Sequence, residues 1–194
     1  MASAIALAGA TVLIRQGLRG GSTFAGYWIN LAVGTVGLWI LVLVLGLPTL
    51  TPGGIVFFAL AGLVGTVAGR LLRFVSVDKV GASVTASLNN LYPFVSSGLA
   101  ILLLGERVTI AIWAGTVVIV LGTVLLSVGG RRAGFASRHL AYPILAAMCF
   151  GVVAILRKLG LGQIGPVEGF AVNVTTALVA FTAVLAVVGE RGWL

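Results

Sequence analysis

Residues 24–47 read FAGYWINLAVGTVGLWILVLVLGL, a run without a single charged side chain. As a helix rising 1.5 Å per residue this run is about 36 Å long, enough to cross the roughly 30 Å hydrocarbon core of a bilayer. It is apolar on every face, whereas a membrane β-strand alternates apolar and polar residues, so a β-barrel is excluded. Working outward, six further segments of the same character follow from the pattern: 1–18, 55–75, 80–104, 108–129, 140–159 and 167–189. The punctuation between them is turn chemistry: Leu47-Pro48-Thr49 with Thr51-Pro52-Gly53-Gly54, Ser76-Val77-Asp78-Lys79, Gly105-Glu106-Arg107, Gly129-Gly130-Arg131-Arg132, and Gly162-Gln163-Ile164-Gly165-Pro166. The expected fold is an all-α membrane protein, a polytopic bundle of about seven transmembrane helices.

Composition agrees. The chain is 60% hydrophobic and 8% charged, with a mean hydropathy of +1.20, against about 25% charged for a soluble domain. A soluble enzyme is thereby excluded. The net charge of +8 would suggest nucleic acid in a soluble protein, but here the basic residues punctuate apolar runs and set membrane orientation; no nucleic-acid partner is expected. Cys149 is alone, which leaves no intrachain disulfide and no cysteine metal site. No cofactor and no metal are expected. The first segment lacks a basic n-region and reads as a spanning helix, not a cleaved signal.

Many of the 28 glycines suit helix contacts in lipid, where small residues four apart let backbones approach. Gly65-x-x-x-Gly69 has this spacing, as does Ala111-x-x-x-Gly115 with Gly122 one heptad on.

An internal repeat organises the chain. Ile14-Arg15 precedes Gly26-Tyr27-Trp28-Ile29-Asn30, and Leu156-Arg157 precedes Gly169-Phe170-Ala171-Val172-Asn173. The arginines are 142 positions apart and the asparagines 143, so a one-residue gap aligns them. Five segments separate the copies, and an odd number of crossings turns the second copy upside down. Inverted repeats are a mark of secondary transporters. The expected organisation is a five-helix repeat at 1–129, a basic linker loop at 130–139, and the first two helices of an inverted second repeat at 140–194.

Segment 80–104 is the most polar of the seven. At 100° per residue, Ser83, Ser87, Asn90 and Ser97 fall within about 40° of one line, and Thr85, Asn89, Tyr92 and Ser96 lie opposite. Asparagine facing hydrocarbon needs a partner, so both faces meet protein or water. One face lining a substrate path and both faces serving as interhelical glue are the two readings that remain open. Pro93 frees a carbonyl one turn back and kinks the helix.

The run from Gly81-Ala82-Ser83 to Tyr92-Pro93, then Leu103-Leu104-Gly105-Glu106-Arg107-Val108-Thr109, Trp113-Ala114-Gly115 and Leu121-Gly122, resembles the EamA-like domain of the drug/metabolite transporter superfamily. The resemblance covers 1–129 as one five-helix unit and 140–189 as the start of a second. It implies a carrier-type transporter moving small metabolites, amino acids or drug-like compounds by alternating access. It also implies two inverted five-helix repeats around a central cavity, whereas this sequence stops two helices into the second. That departure makes a homo-oligomer or a partner membrane subunit an expected requirement. Asn173 and Thr175-Thr176 are then candidates for a face left uncovered.

Substrate-path candidates are Asn89, Tyr92, Asn90, Ser96, and the repeat-related Asn30 and Asn173; packing explains the same residues as well. Pro93, Gly105, Glu106 and Arg107 are the motif positions. Glu106 reads either as an ion-coupling carboxylate or as an interfacial group near the next helix start, and Glu168 as a first-turn acid favoured by the helix dipole. Arg70 and Arg73 read as snorkelling residues at the end of segment 55–75, or as contacts for an anionic substrate. Two pattern matches fail on context. Gly160-x-Gly162-x-x-Gly165 lies between two hydrophobic helices, not after a strand, and Asn173-Val174-Thr175 lies inside a spanning segment. With no P-loop, drive would come from a gradient. With one histidine and four acids, no enzyme is expected. The alternative function is a membrane assembly or regulatory subunit without transport of its own.

The chain is expected in the cell membrane. Nine basic residues (Arg15, Arg19, Arg70, Arg73, Lys79, Arg131, Arg132, Arg138, Arg191) fall on one side and three (Arg107, Arg157, Lys158) on the other. The positive-inside rule then puts the N-terminus outside and the C-terminus in the cytoplasm.

Overall fold

The computed structural model describes residues 23–46, 50–105, 109–110, 113–115, 117–118, 121–122 and 137–189. Segment 1–18, Arg15, Glu106, Arg107, and Gly129 through Arg132 lie outside them. Among the described residues there are helices and no strands, and five helical spans are long and apolar enough to cross a membrane. The scattered described residues of segment 108–129 are helical as well, apart from Thr109.

Helix α1 covers Thr23–Leu45. The next span is continuous from Pro52 to Val80 but has three parts: α2 (Pro52–Ala61), a π-helical stretch (Gly62–Gly69) and α3 (Arg70–Val80). Thr51 caps it, its hydroxyl accepting from the Gly54 N–H at 3.3 Å and donating to the Gln163 carbonyl at 3.2 Å. Helices α4 (Ala82–Asn89) and α5 (Tyr92–Leu104) follow, then a 3₁₀ turn at Ser137–Leu140, α6 (Ala141–Leu161) and α7 (Pro166–Gly189).

Two boundaries differ from expectation. Ser76-Val77-Asp78-Lys79 is not a turn; the helix runs on to Val80, and the chain reverses at Gly81, whose φ of 85° is open only to glycine at little cost. The polar pair Asp78 and Lys79 is accommodated in helix because both side chains are exposed and pair with each other at 3.0 Å. Arg70 therefore does not end a helix but lies about 15 Å along it from Val80. Segment 80–104 is likewise not one helix. Pro93 has no N–H for the Asn89 carbonyl and its ring crowds that group, so the helix breaks at Asn90-Leu91. The Leu91 N–H turns to the Leu88 carbonyl at 3.1 Å, and α5 restarts from the Leu91 carbonyl. The helical-wheel arithmetic across 80–104 holds only within each half. Gly105 closes α5 in the left-handed region, φ 65°.

The Pro52–Val80 span sits between α6 and α7. Its small residues face them: a Cβ on Gly62 would lie 2.6 Å from the Asn173 carbonyl oxygen, one on Gly65 2.7 Å from Val153, and one on Gly69 3.3 Å from Phe150. The Gly65-x-x-x-Gly69 face is thus a helix contact. Gly115 and Gly122 have nothing within 4 Å among the described residues. The π stretch starts where Asn173 reaches in from α7. Its Nδ2 donates to the Phe58 carbonyl at 3.2 Å, and its Oδ1 accepts from Thr66 Oγ1 at 3.4 Å. A side chain inserted into the ladder is one of the few causes of such a widening.

Helix α1 lies against α7, antiparallel. Tyr27, Leu31, Ala177 and Phe181 form a buried cluster, with the Tyr27 and Phe181 rings edge to face at 4.9 Å. Trp28 Nε1 donates to Thr182 Oγ1 and Trp39 Nε1 to Thr175 Oγ1, both at 2.8 Å. Each threonine in turn donates to a carbonyl one turn back, at 2.7 Å. Asn173, 2% exposed, and Thr175 are therefore engaged inside the bundle, not left on an uncovered face. On the opposite side α5 packs on α6. The outer surfaces are apolar (Val33, Leu43, Val44, Leu102 and Leu103 are all at least two-thirds exposed), the inverse of a protein bathed in water.

Candidate functional site

Where the π stretch and α3 face the broken α4–α5 pair across α6, a cavity of about 360 Å³ remains open. Its floor is Gly65 and Thr66; Phe150, Val153 and Ala154 of α6 supply an apolar wall; Arg70, Arg73, Asn89, Tyr92 and Arg157 supply the rest. The backbone explains the gathering. Arg70 is the first residue after the π stretch and Arg73 lies one turn on, so the two share a face. Asn89 is the last residue of α4 and Tyr92 the first of α5, so the break at Pro93 brings both to the cavity edge.

Aromatic rings hold two of the guanidinium groups. Arg70 lies 4.9 Å from the centre of the Tyr27 ring and Arg157 lies 5.0 Å from that of Phe170, attractive contacts that occupy the face of a guanidinium and leave its edge N–H groups available. The Tyr27 hydroxyl donates to the Thr66 carbonyl at 2.9 Å, which fixes the ring under Arg70. Among the described residues no carboxylate pairs with Arg70, Arg73 or Arg157; the ion pair there is Asp78–Lys79. Arg157 is half-buried, whereas Arg70 and Arg73 are exposed; all three line the same cavity. Two buried atoms in the lining have no hydrogen-bond partner, Asn89 Oδ1 and Arg157 Nε.

The residues expected along a substrate path separate into two groups. Asn89 and Tyr92 line the cavity. Asn90 does not: it is half-buried at the helix break. The Ser96 hydroxyl is turned back onto the Pro93 carbonyl at 3.1 Å, and Thr85, on the face expected beside Asn89, is bound to Ser76 at 2.7 Å. Asn30 is exposed on α1, and Asn173 is consumed by Phe58 and Thr66; the two repeat-related asparagines do not flank the cavity. Arg70 and Arg73 line it and do not occupy a helix end. Gly160, of the rejected glycine fingerprint, packs its bare Cα against the Phe58 ring. Glu106 and Arg107 fall outside the described residues.

Arg157 is the member that sequence reasoning passed over. It was legible as the counterpart of Arg15 in the repeat, but its place near the end of an apolar run made it look like a charge that only sets orientation. Thr66 and Phe150 carried no signal beyond small and aromatic residues in apolar helices. Among the described residues no three His, Cys, Asp or Glu side chains group as metal ligands.

Comparison with known proteins adds one match. Residues 1–128 match the EamA-like transporter family, which spans more than half of the chain and includes α1 to α5. No curated protein and no solved structure matches. The family is one of membrane transporters, not enzymes, and belongs with the drug/metabolite transporter superfamily. Among the described residues five helical spans long and apolar enough to cross a membrane, a polar cavity beside a proline-broken span, and this match lead to one assignment: the chain is a multi-pass membrane protein and belongs to the EamA-like transporter family.

Proposed function

We propose that this chain acts as a carrier for a small metabolite by alternating access, with the substrate held in the cavity beside Asn89 and Tyr92. The observation that carries the reading is the pair of unsatisfied buried atoms, Asn89 Oδ1 and Arg157 Nε, in the lining of one cavity. Proteins in lipid satisfy their buried polar groups internally; both atoms are closed off in the empty protein, and a substrate supplies their partners as these side chains turn toward it on binding. The break at Asn90-Leu91, the π stretch and Gly81 give the helices around the cavity points at which to pivot, as rocking about a central site requires. The described lining carries no carboxylate, so facilitated or exchange transport is the coupling that fits.

Counterflow in proteoliposomes with a panel of labelled metabolites tests this. Asn89→Ala and Tyr92→Ala should lower flux about tenfold, the cost of one lost hydrogen bond of roughly 1.4 kcal/mol, with abundance near that of the unmodified protein. Flux that merely follows abundance across the variants overturns the assignment of the cavity. No flux for any solute would favour a non-transporting membrane subunit.

Charge supports the orientation proposed from the sequence. With the three cavity arginines set aside, seven basic residues lie on the side of the C-terminus and two on the side of the N-terminus, which keeps the C-terminus cytoplasmic. A cysteine placed in loop 130–139 of a Cys149→Ser protein should resist an impermeant maleimide in intact cells; rapid labelling reverses the orientation.

A further inference from the structure

The cavity is more specific than a polar hole. Three guanidinium groups line it, and no described carboxylate neutralises any of them. Arg157 is half-buried, shares the cavity lining with the exposed Arg70 and Arg73, and has a buried Nε–H without an acceptor. Like charges gathered on one lining without a counter-charge raise the energy of the empty site. An ionisable cluster inside a membrane bundle that is not paired for structure is a functional site by default. What satisfies it is an acceptor-only group with several oxygens. Carboxylate and phosphate match the guanidinium fork in two-point hydrogen bonds, and these charge-assisted bonds are about twice as strong as neutral ones.

Resting on the carrier reading above, we propose that the substrate is a small organic anion carrying at least two negative charges on carboxylate or phosphate groups. Arg70, Arg73 and Arg157 hold the charged groups. Asn89 and the Tyr92 hydroxyl contact the uncharged polar part, and Phe150 and Val153 face the carbon skeleton. A volume of about 360 Å³ lies at the small end of ligand pockets, about 300–1,000 Å³, and suits a dicarboxylate or a phosphorylated three- or four-carbon compound. The cation–π contacts give the site its shape before the anion arrives, because Arg70 and Arg157 are held by Tyr27 and Phe170 and not by an acid that the substrate would have to displace.

An anionic lipid headgroup offers the same oxygens, and the test separates the two sources. The full chain is placed in nanodiscs of phosphatidylcholine and its thermal unfolding followed with added succinate, glycerol 3-phosphate, glycerol or putrescine. A second arm uses discs containing phosphatidylglycerol without added solute. Succinate or glycerol 3-phosphate should raise the melting temperature saturably in the neutral discs, glycerol and putrescine should not, and the apparent affinity should fall with ionic strength. Arg157→Gln and Arg70→Gln should each weaken binding by about tenfold or more. Because neither arginine is paired with a described carboxylate, each variant should leave the melting temperature of the empty protein close to that of the unmodified chain; a merely structural arginine would lower it. Arg138→Gln, outside the cavity, should change neither. Equal stabilisation by glycerol or putrescine overturns the proposal. So does stabilisation by phosphatidylglycerol alone that soluble dianions cannot reproduce. Because binding is read without transport, anion binding with no flux would sink the carrier reading and leave the anion site standing. Flux of a neutral solute that depends on Asn89 would do the reverse.

Discussion

Two asparagines in this chain, Asn173 and Asn89, both sit in spans long and apolar enough to cross a membrane and meet opposite fates. Asn173 is 2% exposed, and its amide is spent on the Phe58 carbonyl and the Thr66 hydroxyl. The seam it belongs to is closed throughout: Trp28 and Trp39 reach threonines, and those threonines reach carbonyls. Asn89 stands at the end of a helix cut short by Pro93, beside three arginines, and its Oδ1 has no partner. In lipid an unmet polar group is costly, so the closed seam is there to hold helices together. The open cavity carries that cost uncompensated, which is the ground for proposing that a substrate binds there. The difference teaches that polarity within a membrane helix does not by itself single out a residue; what sets Asn89 apart is unsatisfied polarity beside empty volume.

The comparison breaks most severely at the closed seam. Gly62→Leu places a side chain where the Asn173 backbone already sits 2.6 Å from a Cβ position, and backbone cannot yield as a side-chain tip can. The π stretch and α7 must then separate, and the expected result is loss of folded protein, seen as aggregation in mild detergent. A monodisperse Gly62→Leu protein would show that this contact is not structural.

A smaller effect is expected from Asn173→Leu. It strands the Phe58 carbonyl and the Thr66 hydroxyl at a cost of about 1–3 kcal/mol. Thermal stability should drop while flux per folded molecule is kept. Asn89→Leu should behave in the opposite way, with stability unchanged or raised and flux reduced. If the two variants show the same pattern, the division into seam and cavity fails.

Smallest of all is Trp39→Phe, which removes one indole N–H from Thr175 and keeps the ring. Interhelical hydrogen bonds in membranes average about 0.6 kcal/mol, so a shift of that order in unfolding free energy is expected. A loss above about 2 kcal/mol would mean that the seam is more cooperative than its separate bonds.

Much of this was open to reading along the chain. The spans follow from length and apolarity, and the match over residues 1–128 agrees with the resemblance drawn from Gly81 through Gly122. Asn89 and Tyr92 stood out because amide and phenol are rare in such helices. The differences between sequence and structure share a cause. Asn30, Asn90, Ser96 and Asn173 looked equivalent to Asn89 because residue type reports the need for a partner and not whether a neighbour meets it. Asp78-Lys79 looked like a turn because charge in an apolar chain was taken as a break, though an exposed helix face carries both.

What the sequence determined by itself is the solvent and the local backbone. Apolar runs of bilayer length leave no other environment, glycines four apart mark close approach, and a proline four residues after Asn89 removes the donor that its carbonyl needs. These effects act over one or two turns. Which polar group is satisfied was decided only by tertiary structure. Phe58 and Asn173 are 115 residues apart, and Thr66 and Asn173 107, and Arg70 and Arg157 line one cavity only because α3 and α6 pack side by side. A helix dictates the face on which a side chain emerges; whether that face meets a partner, lipid or a cavity is set by the helices that arrive beside it.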